Sequence, residues 1–251
     1  MFGLLIETAR ERMAVWIATC AIALMVAAPQ AHAALTISTT RVIFDSDKRS
    51  VSLIVANPST RIYAVQAWVN TELDDTTTPV PFMPSPGLFR LNTGKQQQVQ
   101  INGLPNDLPS DRESLFYFNV QEIPQASPDE TNVLTIALRT RIKLFYRPAQ
   151  LSGNPIDSLK YLTWSLQKIE GKSYLVVNNP TAFHVTFGRI ELLTDNTTHP
   201  LKTQAMVSPM QSLNLPVEAF TRSALMKVRF SAINDYGGVS KPVSAPISQT
   251  P

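Results

Sequence analysis

From Ala34 onward, apolar positions recur every second residue, and no stretch carries the three-and-four spacing of a long helix. Leu35-Thr36-Ile37-Ser38 predicts a short strand, and residues 50–55 predict a second that ends at the turn Asn57-Pro58-Ser59. Residues 62–69 predict a third, with Trp68 as its core anchor. Residues 79–87 carry Pro79, Pro81, Pro84 and Pro86 and read as loop. Strands follow at 96–101 and 115–120, and 133–146 is the longest extended stretch. The pattern pauses at Arg147-Pro148-Ala149, and the polar, Pro/Gly-marked run 150–157 suits a linker. A second series comes at 162–167, 173–177, 184–193, 211–215, 226–233 and 242–247. Short strands between turn signals predict an all-β chain of two antiparallel sandwiches, 34–153 and 154–251, with no detectable sequence repeat between them.

The first 33 residues follow a different pattern. Arg10 and Arg12 precede an apolar run from 13 to 28, and Ala31-His32-Ala33 has the small-x-small form of a cleavage site. This reads as a secretory signal peptide, with Met13 as an alternative start of translation. The run is short for a membrane span, which needs about 20 residues, so an uncleaved anchor is the lesser alternative. Cys20, the sole cysteine, lies inside that run. The chain from Ala34 therefore has no disulfide and no thiolate for metal or catalysis, and its stability must come from packed core.

Composition narrows the function by exclusion. At 44% hydrophobic and 16% charged the chain is ordinary globular material. Its net charge of +3 is spread out, with no basic run for nucleic acid. His184 and His199 are isolated in sequence and read as strand or surface histidines. Gly171-Lys172-Ser173 lacks the upstream glycine of a phosphate loop and reads as a hairpin turn. There is no Gly-x-Ser-x-Gly elbow, and the carboxylates are scattered. No catalytic residue, metal site, cofactor or small-molecule substrate is nominated.

Residues 133–147 carry the most information. Successive strand side chains alternate faces, so Leu134, Ile136, Leu138, Ile142, Leu144 and Tyr146 form one apolar row. Arg139, Arg141, Lys143 and Arg147 line the other side. By itself this is the pattern of a core strand with a solvated basic face. Its length is far beyond the usual strand of roughly 5–6 residues and predicts an overhang or an exposed edge. Proteins normally suppress an apolar edge, so one that is kept suggests pairing with another chain.

Five blocks in order then resemble the PapD-like periplasmic pilus chaperones. They are Thr40-Arg41-Val42-Ile43-Phe44, Asp111 to Asn119, Glu122-Ile123-Pro124, Ile142 to Pro148, and Ile233-Asn234-Asp235-Tyr236-Gly237-Gly238. The resemblance implies two immunoglobulin-like sandwiches set as an L around a cleft, with no enzymatic activity. It implies that Arg41 and Lys143 bind the C-terminal carboxylate of a pilus subunit, and that Leu134, Ile136 and Leu138 fill the subunit's open groove. It further implies an interdomain ion network of Glu113, Arg147 and Asp235. The partners it implies are pilins and an outer-membrane usher, with self-association through the sticky edge in the free form. The short loop 124–132 is similar to the branch that builds rod-like pili. The chain lacks the cysteine pair of some relatives, and its short tail after Gly238 predicts a reduced last strand. The competing reading is a structural or adhesive immunoglobulin-like envelope protein, in which Leu134, Ile136 and Leu138 are ordinary core.

Overall fold

A computed structural model describes residues 35–75, 77–124, 136–194, 197–201, 205–217 and 226–249. The signal-peptide region, most of the loop at 124–132 and Leu134 lie outside the described residues.

The first half is built from β1 (Thr36–Ile37), β2 (Arg41–Asp45), β3 (Ser50–Ala56), β4 (Tyr63–Asn70), β5 (Phe82–Ser85), β6 (Leu88–Leu91), β7 (Gln96–Gly103), β8 (Ser114–Pro124) and β9 (Arg139–Arg147). One sheet has the order β1-β3-β7-β5 and the other β2-β9-β8-β4-β6. Alternation in β4 and β7 turns Val65, Ala67, Val99 and Ile101 inward, where they meet Phe44, Phe82, Phe118 and Leu144 in one core. Every pairing is antiparallel except that of β2 with β9, which is parallel and sets Arg41 opposite Lys143.

After a 3-10 turn at Asp157–Tyr161, the second half runs through β10 (Thr163–Ile169), β11 (Lys172–Asn179), β12 (Val185–Leu193), β13 (Thr198–Leu201), β14 (Met206–Val207), β15 (Gln211–Pro216), β16 (Lys227–Ala232) and β17 (Val243–Gln249). The sheet order is β13-β12-β16-β17-β10-β11-β15, with β14 beside β12, curled around Trp164, Phe187 and Phe230. Glu170 and Gly171 both have positive φ, as a two-residue hairpin between right-twisting strands requires, so the Gly-Lys-Ser motif is a turn.

The two halves share one local device. The Asn57 carboxamide oxygen accepts from Ser59 N and Oγ at 3.1 and 2.7 Å, and Asn179 accepts from Thr181 N and Oγ1 at 3.0 and 2.7 Å. Each asparagine is buried and donates to backbone carbonyls behind it. Asn-Pro-Ser and Asn-Pro-Thr are thus the same turn used in both halves.

Four expectations change. Residues 79–87 are not all loop: Phe82–Ser85 forms β5, where Pro84 is tolerated because β5 is a sheet edge and Phe82 enters the core. Trp68 is not a core anchor; it faces away from the core beneath the Arg139 guanidinium, 5.0 Å from the ring centroid. The last strand is not reduced, since β17 pairs with both β16 and β10. The long strand begins at Arg139, and Ile136 to Leu138 lie outside any strand. Its ladder with β8 runs out there: the Leu138 N–H bonds to the Glu122 side chain instead of its carbonyl, and Pro124 further along has no N–H to give.

Candidate functional site

The basic face of β9 collects the charged residues predicted from sequence. At its C-terminal end, Glu113, just before β8, reaches in with its side chain only 1% exposed. It accepts from Arg147 Nε at 2.8 Å and from the His184 backbone N–H at 2.8 Å, and its Oε2 lies 3.1 Å from His184 Nδ1. Arg147 donates its other two nitrogens to Asp235 at 2.7 and 3.0 Å. Burial acts to lower the Arg147 pKa, but its bonds to Asp235 and Glu113 outweigh that and hold it above its ordinary value. Glu113, Arg147 and Asp235 are therefore brought together, and they tie the first half to the second. His184, isolated in sequence, is not a surface histidine: it is buried in this hub and tilted against Phe145 at 5.3 Å. Nothing in the spacing of Glu113 and His184 signals the pairing.

Four residues back along β9 from Arg147 stands the cation pair. Arg41 is 9% exposed; it donates to the Ile233 carbonyl at 3.1 Å and leans toward Phe145, while its buried Nε has no partner among the described residues. Lys143 donates to Thr186 Oγ1 of β12 at 3.4 Å. Burial lowers the Arg41 pKa, against the pull of Asp235 and Glu113. Burial also lowers that of Lys143, and the Arg41 charge adds to the fall. Two half-desolvated cations at register positions of adjacent strands make a site that an anion would relieve. Thr186 is a neighbour that the sequence reading missed.

The loop that carries Ile233 and Asp235 is closed by Asn234, whose side chain accepts from Tyr236 N and Gly238 N at 3.0 and 2.8 Å. Gly237 has φ +85° and sits against Thr40, where a Cβ would strike the hydroxyl. The same loop thereby buttresses Arg41, holds Arg147 and closes onto the strand start.

On β9 itself the pairing with β2 stops at Lys143. From Arg139 to Ile142 the strand has β8 on one side and no described strand on the other. The Arg147 carbonyl accepts from Ser46 N beside β2, and the Leu138 carbonyl accepts from Glu122 N on β8. By alternation, the backbone groups of Arg139 and Arg141 face the open edge. Ile142, Leu144 and Tyr146 continue into the core, and Ile136 and Leu138 are 62% and 55% exposed.

Comparison with known proteins identifies the family. Residues 34–152 match the model of the pili and flagellar-assembly chaperone PapD N-terminal domain, and 157–244 match that of the pili assembly chaperone PapD C-terminal domain. The chain belongs to the PapD family of pilus-assembly chaperones. It is 37% identical over 232 residues to the probable fimbrial chaperone YadV of Escherichia coli K12, covering 88% of this chain and 93% of the relative. It is 38% identical over 230 residues to the chaperone protein FimB/FhaD of Bordetella pertussis, covering 88% and 91%. The crystal structure of the YadV chaperone superposes with a TM-score of 0.73 at 34% identity, over 85% of this chain and all of that one. A chain of the Salmonella enterica SafA pilin–SafB chaperone complex gives 0.72 at 27% identity, over 87% and 98%. PapD-family chains with solved structures thus share the two-sandwich fold described above.

Proposed function

We propose that this protein is a periplasmic chaperone that binds, folds and caps pilus subunits by lending them a strand, then passes them to the outer-membrane usher. In this reading residues 1–33 are a cleaved export signal, the domains are 34–153 and 154–251, and no reaction is catalysed. Membership of the PapD family and the likeness to a chain of the SafA pilin–SafB chaperone complex support the role.

The observation that carries the mechanism is the register of Arg41 with Lys143 at the point where β2 begins and the open edge of β9 stops. A subunit whose C-terminal carboxylate is held by both cations can continue only along that edge, because β2 occupies the other direction. Its last strand must then run from the 136 end toward the 143 end, parallel to β9 and in line with β2. The backbone groups of Arg139 and Arg141 supply the ladder, while the even-numbered row projects into the subunit's groove. Leu138 lies about 17 Å from Lys143 at roughly 3.3 Å per residue, so fixing the carboxylate also fixes which pocket each side chain meets. Full burial of Leu134, Ile136 and Leu138 would contribute about 1.5–3 kcal/mol each before ordering costs.

Arg41→Ala and Lys143→Ala should leave the fold intact and abolish subunit complexes. Normal co-purification of subunits with both variants would refute the reading. The exposure of Ile136 and Leu138 speaks against the alternative of an adhesive envelope protein with these residues in its core.

A further inference from the structure

The donor segment leaves the sheet at residues 138–139, and side chains grip that point from both faces. On the basic face, Arg139 donates to Asp74 through NH1 at 3.1 Å and through NH2, and to Asn119 Oδ1 from Nε at 3.0 Å and NH2 at 2.6 Å. Asn119, fully buried, donates to Asn70 Oδ1 at 2.9 Å, and Asn70 donates back to Asp74 at 2.6 Å. The four side chains close a ring drawn from β4, the following loop, β8 and β9. Trp68 supports it from below through the Arg139 guanidinium. Arg141, 3.8 Å over Tyr117, pins the same loop by donating to the Thr71 and Glu72 carbonyls at 2.7 and 3.3 Å. On the core face, Glu122 stands directly opposite Leu138, accepts its N–H at 3.2 Å, and keeps its second oxygen buried and unpartnered. Asp74 sits at positive φ, which aspartate tolerates better than most residues and which turns its carboxylate back over the sheet.

We propose that Asp74, Asn70, Asn119 and Glu122 are positioning residues that root the donor segment. They hold the unpartnered stretch of β9 extended on β8, so that the distance from the cation pair to Leu138 is set before a subunit arrives. This rests on the strand-lending reading above and adds a device to it. Without the two grips, a strand end with one neighbour would peel toward Lys143 and lose the edge that a subunit must find. Preorganising that edge removes an ordering cost from binding. A second ring contact also follows from the geometry: Asp74 lies 3.9 Å from Arg141 Nε, so one carboxylate restrains both Arg139 and Arg141.

The test is amide hydrogen exchange on the exported protein. Asp74→Ala should speed exchange about tenfold at Leu138 and Thr140, the loss expected for one charge-assisted contact. Leu144 and Tyr146, in the same strand but beyond the cation pair, should be unchanged. Glu122→Ala should show the same signature at Leu138, and Arg139→Lys should fall between wild type and Asp74→Ala. No change at Leu138 and Thr140 overturns the proposal. So does equal acceleration through Leu144 and Tyr146, because that would mark a general loss of stability. Arg41→Ala serves as the separating control: it should leave these rates alone while abolishing subunit capture. If capture survived Arg41→Ala, the strand-lending reading would fail, and the exchange rates would still decide the rooting claim.

Discussion

Replacing Glu113 by glutamine tests the junction between the halves with almost no change of shape. The carboxylate is buried and satisfies three donors: Arg147 Nε, His184 N and the His184 ring. A carboxamide keeps one acceptor and turns an NH2 group toward a donor it cannot satisfy. Losing a charge-assisted bond costs about 1.5–3 kcal/mol, and a donor left buried without a partner about 1–3 more. The total is about 3–5 kcal/mol, in line with breaking one side of a buried ion pair. For a chain of this size each kcal/mol lowers the melting midpoint by roughly 2–4 °C, so the midpoint should fall by about 10 °C in calorimetry. Asp235→Asn, at a carboxylate more exposed than Glu113, should cost clearly less. A fall below about 2 °C for Glu113→Gln would refute the reasoning that this hub carries the junction.

Other expectations follow from the same geometry. Gly237→Ala combines a left-handed φ with a clash against Thr40, so it should push the loop off Arg41, destabilise by about 1–3 kcal/mol and weaken subunit binding; Gly94→Ala, with open space around it, should cost about 1 kcal/mol and spare binding. Leu138→Glu should shift stability by no more than about 0.5 kcal/mol, because the side chain is already exposed, yet should abolish subunit capture. Burial and Arg41 lower the Lys143 pKa in the free protein, and a bound carboxylate would raise it again. Affinity should therefore be full below the free-state value and decline as pH rises through it, with proton uptake on binding. Calorimetry in buffers of different ionisation enthalpy measures that uptake; proton release would contradict it.

Much of the site was legible because it lies on one strand. The two-residue period placed Ile142, Leu144 and Tyr146 in the core and Arg139, Arg141, Lys143 and Arg147 opposite them without a bulge. The resemblance supplied Arg41, Glu113 and Asp235, which no spacing rule would have joined. What was missed depends on contacts between distant segments. His184 reads as isolated until β8 brings Glu113 beside it, and Asp74 and Asn119 are unremarkable polar residues until Arg139 reaches both. Trp68 was misplaced because an aromatic at an alternating position reads as core, whereas the Tyr63, Val65, Ala67 row takes that face. β5 was hidden by prolines that only an edge strand tolerates, and β17 by a short tail that nonetheless finds two partners. The strand start at Arg139 was misjudged because hydrophobic period alone does not reveal that β8 ends in Pro124.

The central claim is that the outward backbone of β9 between Arg139 and Ile142 is open in the free protein and filled by a subunit strand. Amide exchange at Arg139 and Arg141, with and without a captured pilin, measures this directly. Exchange should be rapid in the free chain and at least about tenfold slower in the complex, a slowing lost together with Lys143. Slow exchange already in the free protein, or no slowing on capture, would contradict it.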